Sequence, residues 1–263
     1  MRPASSEESA FFRAISPRNE TLSAIFNAMI RTIIGVSFLT LFILIAGLPV
    51  IAFSALTGSS DVLYRLGKWG IGVSMRLAGV RVRVEGLENI PAGVCVFAAN
   101  HVSNLDPPAA LIGVPRRISF LAKKEVFKVP IVRTALRLGK IVPVDREHTE
   151  AAISSIDHAV GILLEGISFF VFPEGTRSKD GRMKPFKKGT FIMAIQARAP
   201  VVPVSILGSR ERMRKGSLST VPGEILLRFG APIATTSYTV DQRDQLLERV
   251  QSAVAAGLQQ APR

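Results

Sequence analysis

Residues 32–60 form a stretch of 29 positions without a charged side chain. As a helix this stretch would be about 43 Å long, whereas the hydrocarbon core of a bilayer is roughly 30 Å thick. One tilted helix would fit, and so would a helix bent near Gly47 and Pro49. The run is too long for a secretory signal peptide, and a buried soluble helix rarely stays apolar on every face for this length. The stretch therefore predicts a segment embedded in a membrane.

The segment that follows, residues 61–80, has the pattern of an amphipathic helix. A basic stripe runs along one side and large apolar side chains cover much of the rest, namely Arg65, Lys68 and Arg76 against Leu63, Leu66, Trp69, Ile71, Val73, Met75 and Leu77. This pattern fits a helix at the bilayer interface. It also fits an ordinary amphipathic helix packed on a domain, and the sequence leaves both interpretations open.

The charges around the apolar stretch set its expected orientation. Basic residues follow it, whereas residues 1–20 form a polar arm of mixed charge. Basic flanks stay in the cytoplasm, so the part of the chain after the stretch is expected there. The mixed charge of the arm leaves open whether the stretch crosses once or turns back as a hairpin. We expect a poorly ordered arm over 1–20 and a membrane-embedded or interfacial helical segment over 21–79.

The overall charge of the chain limits the kinds of molecule that it is expected to bind. Lysine and arginine total 33 against 20 acidic residues, which gives a net charge of +13. Such a surface attracts nucleic acid, anionic lipid or phosphorylated ligands. With two tyrosines, one tryptophan and no recognisable nucleic-acid-binding motif, the sequence argues against nucleic acid. The single cysteine, Cys95, excludes an intramolecular disulfide, and no zinc-ligand spacing is present.

Residues 80–263 show the alternation of strands and helices that is typical of an α/β domain. Short apolar runs rich in β-branched and aromatic residues predict strands, and longer runs with helical periodicity predict helices. The strands are expected at 80–85, 94–99, 118–122, 139–146, 167–172, 201–207 and 224–229, and the helices at 153–164, at 191–197 and after a capping box at 239–242. This order favours a mostly parallel sheet flanked by helices, behind an N-terminal helical membrane anchor.

The most informative polar cluster is the segment 100–108, directly after the predicted strand 94–99. Asp106 precedes two prolines, which predicts an N-cap and the start of a helix. His101 and Asp106 thus lie on one tight strand-to-helix connection. A histidine becomes a useful general base when a carboxylate fixes its tautomer and stabilises the imidazolium. Because no covalent nucleophile is clearly placed beside the pair, it favours activation of a substrate hydroxyl. Taken alone, a loop histidine and a capping aspartate remain the simpler interpretation.

Other predicted strands also end in polar residues, and such ends meet at one edge of a parallel sheet. Asp145 and Arg146 end one strand, and the segment 173–178 follows another. In that segment, Gly175 allows close backbone approach to a ligand, and Arg177 offers a fork of donors suited to phosphate. Glu174 could accept a hydrogen bond from a hydroxyl group, or it could form an ion pair with Arg177. Each feature alone is also consistent with a polar turn or a surface charge.

Together these segments resemble a known family. Asn100-His101-x4-Asp106 matches the NHx4D signature of the glycerolipid acyltransferases, and 139–146, 172–178 and 201–204 match their second, third and fourth motifs in order. The chain is most similar to the bacterial 1-acylglycerol-3-phosphate acyltransferases (lysophosphatidate acyltransferases). The resemblance covers about residues 80–235 and includes the plan of an apolar N-terminal anchor.

The resemblance implies an enzyme that transfers an acyl chain from acyl-CoA, or from acyl carrier protein, to the sn-2 hydroxyl of 1-acylglycerol 3-phosphate. The product would be phosphatidic acid. No metal and no cofactor beyond the acyl donor are implied. The expected location is the cell inner membrane, with the catalytic domain in the cytoplasm, because the acceptor is a membrane lipid and the CoA donor is soluble.

The resemblance also implies roles for particular residues. His101 would be the base and Asp106 the group that orients it. The phosphorylated acceptor would be held by Arg146, Glu174, Gly175, Thr176 and Arg177, together with either Lys123 or Lys124. Backbone N–H groups near Gly175 are the expected oxyanion donors.

Two rival functions remain at this point. The first is an acyltransferase for another acceptor, either lyso-ornithine lipid or glycerol 3-phosphate. The second is a non-catalytic scaffold that binds membranes through its basic surface. The basic segment 209–215 could meet lipid headgroups or CoA phosphates, or could simply be solvated.

Overall fold

The computed structural model of the 263-residue chain describes residues 6–145 and 149–260. In this part of the chain a helical N-terminal segment precedes an α/β domain. The helices are α1 Ser6–Phe42, α2 Leu48–Thr57, α3 Asp61–Leu77, α4 Asp106–Gly113, α5 Pro130–Leu138, α6 Thr149–Leu164, α7 Gly189–Gln196, α8 Ser209–Arg212 and α9 Arg243–Gln259. The strands are β1 Val80–Glu85, β2 Val96–Ala99, β3 Ile118–Lys123, β4 Val142–Val144, β5 Ser168–Val171, β6 Val201–Leu207 and β7 Gly223–Phe229.

The strands form one sheet in the order β1-β7-β6-β2-β5-β3-β4. Neighbouring strands are parallel except for β6 and β7, which confirms the mostly parallel sheet expected from the sequence. Because β7 runs against β6, both β7 and β1 run opposite to β2. The beginnings of β1 and β7 therefore lie at the edge where β2 to β6 end. We call this edge the carboxyl edge.

Apolar side chains bury both faces of the sheet, as the strand β5 illustrates. Successive strand residues point to opposite faces, and Phe169 belongs to one buried cluster while Phe170 belongs to the other. Helices α6, α7 and α9 supply side chains to the first cluster, and α3 and α4 supply them to the second. Two-sided burial explains why the central strands are continuous apolar runs rather than alternating patterns.

The apolar N-terminal segment is helical up to Thr57, and residues 58–60 join it to α3. Ile25–Thr57 is a 33-residue stretch that is long and apolar enough to cross a membrane. A π-helical turn at Ile43–Gly47 joins α1 to α2, and Pro49 lies in the first turn of α2, at the place where a bend was expected. Helix α1 already begins at Ser6, inside the segment that was expected to be an arm.

Helix α3 packs tightly on α1. Trp69 contacts Phe38 and Phe42, with ring centroids 6.2 and 5.4 Å apart, and the Ser74 hydroxyl donates to the Gly35 carbonyl at 2.9 Å. The absence of a side chain at Gly35 lets the two helices approach, since a Cβ there would lie 2.8 Å from the Ser74 carbonyl oxygen. The segment predicted over 61–80 is thus helical over Asp61–Leu77, and Val80 already begins β1.

The same helix also packs on the domain. The Tyr64 hydroxyl donates to the Arg116 carbonyl at 3.1 Å, and Lys68 Nζ donates to the Val114 carbonyl at 2.7 Å. Burial lowers the pKa of Lys68. The expected basic stripe is therefore divided, because Lys68 faces the domain whereas Arg65 and Arg76 are exposed.

We predict that Gly35→Ala lowers the thermal stability of the purified protein, although alanine is the better helix former. The added Cβ would force α1 and α3 apart. Gly72→Ala is the matched control on α3, because a Cβ there meets no atom within 4 Å and should stabilise the helix by about 0.5–1 kcal/mol. Calorimetry in detergent compares the two variants. A Tm for Gly35→Ala at or above that of Gly72→Ala would contradict this packing.

Candidate active site

The segment after β2 is anchored to the neighbouring strand by Asn100. This buried side chain donates from Nδ2 to the Ile206 carbonyl at 3.0 Å and accepts at Oδ1 from the Ile206 N–H at 2.8 Å. Both hydrogen bonds reach β6, so the start of the loop is fixed to the sheet. This position was noted in the sequence only as part of a motif, and the structure shows a positioning contact for it.

Asp106 organises the remainder of the loop. Its side chain is fully buried, and Oδ2 accepts from the backbone N–H groups of Val102 and Ser103, each at 2.8 Å. The same oxygen lies 2.8 Å from His101 Nδ1. The expectation that Asp106 is the N-cap of α4 was wrong: Leu105 is the N-cap, and Asp106 occupies the first helical position with its side chain turned back to the loop.

These contacts set the state of the His101 ring. Because Asp106 Oδ2 already accepts two N–H groups, we assign the hydrogen of the third contact to Nδ1, which leaves Nε2 as an acceptor. The His101 side chain is 17% exposed. Its ring stacks on that of Phe172, with centroids 4.2 Å apart and planes at 23°. The imidazole is therefore held on two sides while one nitrogen remains able to take a proton.

Glu174 supports the same loop from β5. Its side chain is buried, Oε1 accepts from the His101 N–H at 2.8 Å, and Oε2 accepts from the Lys184 N–H at 3.2 Å. No ion pair joins it to Arg177 within the described part of the chain. Burial raises the pKa of Glu174 to about 6, although the two hydrogen bonds and the Lys184 charge oppose the shift. Since both oxygens already have backbone partners, Glu174 braces the loop.

The segment after Glu174 forms a basic corner beside this loop. Gly175 has φ +73, a conformation that glycine adopts easily. Lys184 Nζ donates to Thr176 Oγ1 and to the Arg177 carbonyl, and Lys215 Nζ donates to the same carbonyl at 3.0 Å. Arg177 Nη1 is buried, and no residue that the structure describes accepts from it.

The other residues predicted to contact phosphate either pair with carboxylates or lie outside the residues that the structure describes. Lys123 Nζ is 3.4 Å from Glu125, and Lys124 Nζ is 2.6 Å from Asp145. Both lysines are at the end of β3, two strands away from β2 in the sheet. Arg146 falls outside the described residues. The structure thus brings together His101, Asp106, Glu174 and the segment 175–177, and it pairs both candidate lysines with carboxylates.

Two contributors to the site were not predicted. Phe172 ends the predicted strand 167–172 and was treated as a strand residue, yet its ring stacks on His101. Lys184 lies in a polar loop without a periodic pattern, and only its place about ten residues after Glu174 could have drawn attention to it. Their contacts depend on how β5 and the loop that follows it fold back, which a local pattern does not encode.

Comparison with known proteins shows the family to which the chain belongs. The profile of the Acyltransferase family matches residues 81–207, which include all the strand ends described above except that of β7. A 1-acyl-sn-glycerol-3-phosphate acyltransferase from Limnanthes douglasii is 32% identical over 188 residues, covering 71% of this chain and 66% of that protein. The chain belongs to the acyltransferase family. The resemblance inferred from the four motifs is thereby confirmed.

Other relatives agree in name and in fold. The human 1-acyl-sn-glycerol-3-phosphate acyltransferase alpha is 32% identical over 180 residues, which is 68% of this chain and 64% of that protein. The chain thus spans just under two thirds of the length of these relatives. The crystal structure of the 1-acyl-sn-glycerophosphate acyltransferase PlsC from Thermotoga maritima superposes with a TM-score of 0.74 at 28% identity, covering 89% of this chain and 97% of that one.

The raised pKa of Glu174 predicts a pH dependence of stability. The folded protein holds this proton up to about pH 6, whereas the ordinary pKa is 4.5. The stability contributed by the protonated form is therefore fully present below pH 4.5 and is lost as the pH rises through 6, by about 2 kcal/mol. Because glutamine does not titrate, the Glu174→Gln variant should lack this pH-dependent contribution to stability.

Chemical denaturation of both proteins between pH 4 and pH 7 tests this expectation. The difference between wild type and Glu174→Gln isolates the titration of this one group from that of the other carboxyls. A difference in unfolding free energy that stays constant over this range would show that Glu174 titrates normally.

Proposed function

We propose that this protein transfers an acyl chain from acyl-CoA, or from acyl carrier protein, to the sn-2 hydroxyl of 1-acylglycerol 3-phosphate. The observation that carries the proposal is the contact of 2.8 Å between His101 Nδ1 and the buried Asp106 Oδ2, which turns Nε2 into an acceptor. The printed names of the relatives support the acceptor class. No metal or cofactor enters the proposed reaction.

In the proposed step, His101 Nε2 takes the proton of the acceptor hydroxyl as its oxygen attacks the thioester carbonyl carbon. The new C–O bond gives a tetrahedral intermediate. Collapse of this intermediate breaks the C–S bond, and the imidazolium returns the proton to the departing thiolate. Asp106 holds the ring in the required tautomer and stabilises the transient imidazolium. The products are phosphatidic acid and the free thiol of CoA or of the carrier protein.

The acceptor phosphate is assigned to the basic corner formed by Arg177, Lys184 and Lys215. Arg177 has a buried guanidinium nitrogen that lacks an acceptor among the described residues, and an unpaired buried donor is costly. A phosphate oxygen would satisfy it, and a guanidinium can bind phosphate through two parallel hydrogen bonds. Gly175 and Thr176 form the turn that presents Arg177. Lys123, Lys124 and Arg146 stay predictions for the same role.

The proposed setting is the surface of the cell inner membrane, with the domain in the cytoplasm. Helix α3 ends at Leu77 and β1 begins at Val80, so the helical segment joins the domain at the carboxyl edge. This is the edge at which β2 ends and His101 lies. Exposed apolar side chains on α1, on the π-helical turn and on α2, such as Ile33, Ile45 and Leu56, would contact lipid. An acceptor in the bilayer would then meet the base directly.

His101→Ala is expected to lower kcat by roughly 10²- to 10⁴-fold, the usual contribution of a general base. Asp106→Asn should also lower kcat strongly with little change in the acceptor KM. Because the two side chains act as one unit, the double variant should lose little more than the worse single variant. Steady-state assays of CoA release measure kcat for the two single variants and for the double variant. Losses that multiply in the double variant would exclude the paired mechanism.

Arg177→Ala should cost about 1.5–3 kcal/mol of transition-state binding with 1-acylglycerol 3-phosphate, or roughly ten- to over a hundredfold in kcat/KM. A lyso-lipid without phosphate should be affected far less. Arg177→Lys should rescue only part of the loss, since an ammonium group cannot reproduce the fork. Arg198→Ala is the control, because Arg198 precedes β6 at the opposite edge of the sheet. Equal losses on both acceptors would assign Arg177 to the donor or to the fold.

A further inference from the structure

A second basic cleft lies at the junction between the helical segment and the domain. Arg31 of α1, Arg76 of α3 and Arg81 of β1 line it, and its volume is about 520 Å³. All three arginines are exposed, and none of their guanidinium groups has an ion pair or hydrogen bond with any residue described in 6–145 or 149–260. Glu224, the carboxylate at the cleft, lies 3.3 Å from Arg83. Glu224 is also the neighbour of Arg81 across the β1–β7 pair. Three arginines against this one carboxylate, which already pairs with Arg83, favour an anionic ligand.

An apolar groove continues from this cleft. Ile25 and Ala28 of α1 and Val221 of the β6–β7 connection line the groove, which has a volume of about 360 Å³. Pro222 borders both the groove and the cleft, so the two are adjacent. A ligand that filled both would have an apolar tail and an anionic head. This combination is the chemistry of a phospholipid.

The position of Arg31 supports the same conclusion. Its neighbours Ile30, Ile33 and Ile34 are apolar and exposed by 38%, 60% and 47%. A charged side chain in such a segment is costly near hydrocarbon unless it reaches the headgroups or a counter-ion. The next residue, Thr32, is buried and its hydroxyl lies 2.8 Å from that of Thr220. This contact fixes α1 on the β6–β7 connection and therefore fixes Arg31 at the cleft.

We propose that this junction binds one anionic phospholipid of the bilayer. The headgroup phosphate would contact Arg31, Arg76 and Arg81, and an acyl chain would lie along Ile25 and Val221. The lipid is a structural ligand that holds the carboxyl edge at headgroup depth. This site is distinct from the acceptor site at His101 and Arg177, and it does not depend on the proposed acyl transfer.

The test is a binding measurement on the full-length protein in detergent, after removal of bound lipid. Native mass spectrometry counts the lipids bound during titration with phosphatidylglycerol, and with phosphatidylcholine of the same acyl chains. We expect one saturable phosphatidylglycerol, bound at least about tenfold more tightly than phosphatidylcholine, because charge-assisted contacts are lost with a zwitterion. Arg76→Gln should weaken this binding by about tenfold or more.

Two matched variants test whether the lipid binds at this cleft. Arg65→Gln is the control, since Arg65 is exposed on the same helix but does not line the cleft. It should change the affinity by less than about twofold, on the scale of a screened surface charge. Arg177→Ala should leave phosphatidylglycerol binding unchanged.

Three results would overturn the proposal. Equal affinity for the two lipids, or equal losses in Arg65→Gln and Arg76→Gln, would mean that the basic surface attracts lipid only diffusely. Loss of binding in Arg177→Ala would place the lipid in the acceptor site. Displacement by inorganic phosphate at concentrations similar to those of phosphatidylglycerol would mean that the groove holds no acyl chain.

Discussion

Three hydrogen bonds converge on one buried oxygen, Asp106 Oδ2, and the conformation of the loop that carries His101 depends on them. Two come from consecutive backbone N–H groups and the third from the His101 ring. Burying a carboxyl group is costly unless it is hydrogen-bonded, so the loop must close around Oδ2. The other oxygen, Oδ1, is buried without a partner among the described residues. Pro107 and Pro108 follow Asp106 in the first turn of α4, where the missing N–H groups cost little because this turn leaves its donors unpaired. The same contacts of Asp106 thus determine the closure of the loop, the start of α4 and the orientation of the His101 ring.

The reversal of β7 and β1 supplies the second constraint. If β1 ran parallel to β2, α3 would enter the sheet at the edge away from His101. The antiparallel pairing of β6 with β7 instead brings the helical segment to the carboxyl edge. The contact between Thr32 and Thr220 fixes α1 on the connection between those two strands. The proposed acceptor site and the candidate membrane segment therefore share one side of the molecule.

The sequence predicted the parts whose cause is local. Strands 80–85 and 201–207 have the predicted bounds, since valine alternates with charged residues in the first and the second is an apolar run rich in valine. The capping box at Thr239 and Gln242 formed as expected. Helix α5, Pro130–Leu138, was missed. The partners of Glu174 and Lys124 were also missed. Those contacts join segments ten to seventy-three residues apart, and only the folded sheet brings them together.

The most direct test of the account is the reaction of the purified full-length protein with acyl-CoA and a panel of lyso-lipids in detergent. Released CoA and newly formed diacyl lipid are both quantified. The account predicts equimolar CoA and phosphatidic acid when 1-acylglycerol 3-phosphate is the acceptor, and far slower release with acceptors that lack a phosphate monoester. Faster reaction with a phosphate-free lyso-lipid would contradict the proposed acceptor. No CoA release with any acceptor would contradict the assignment of His101 and Asp106 as a catalytic pair.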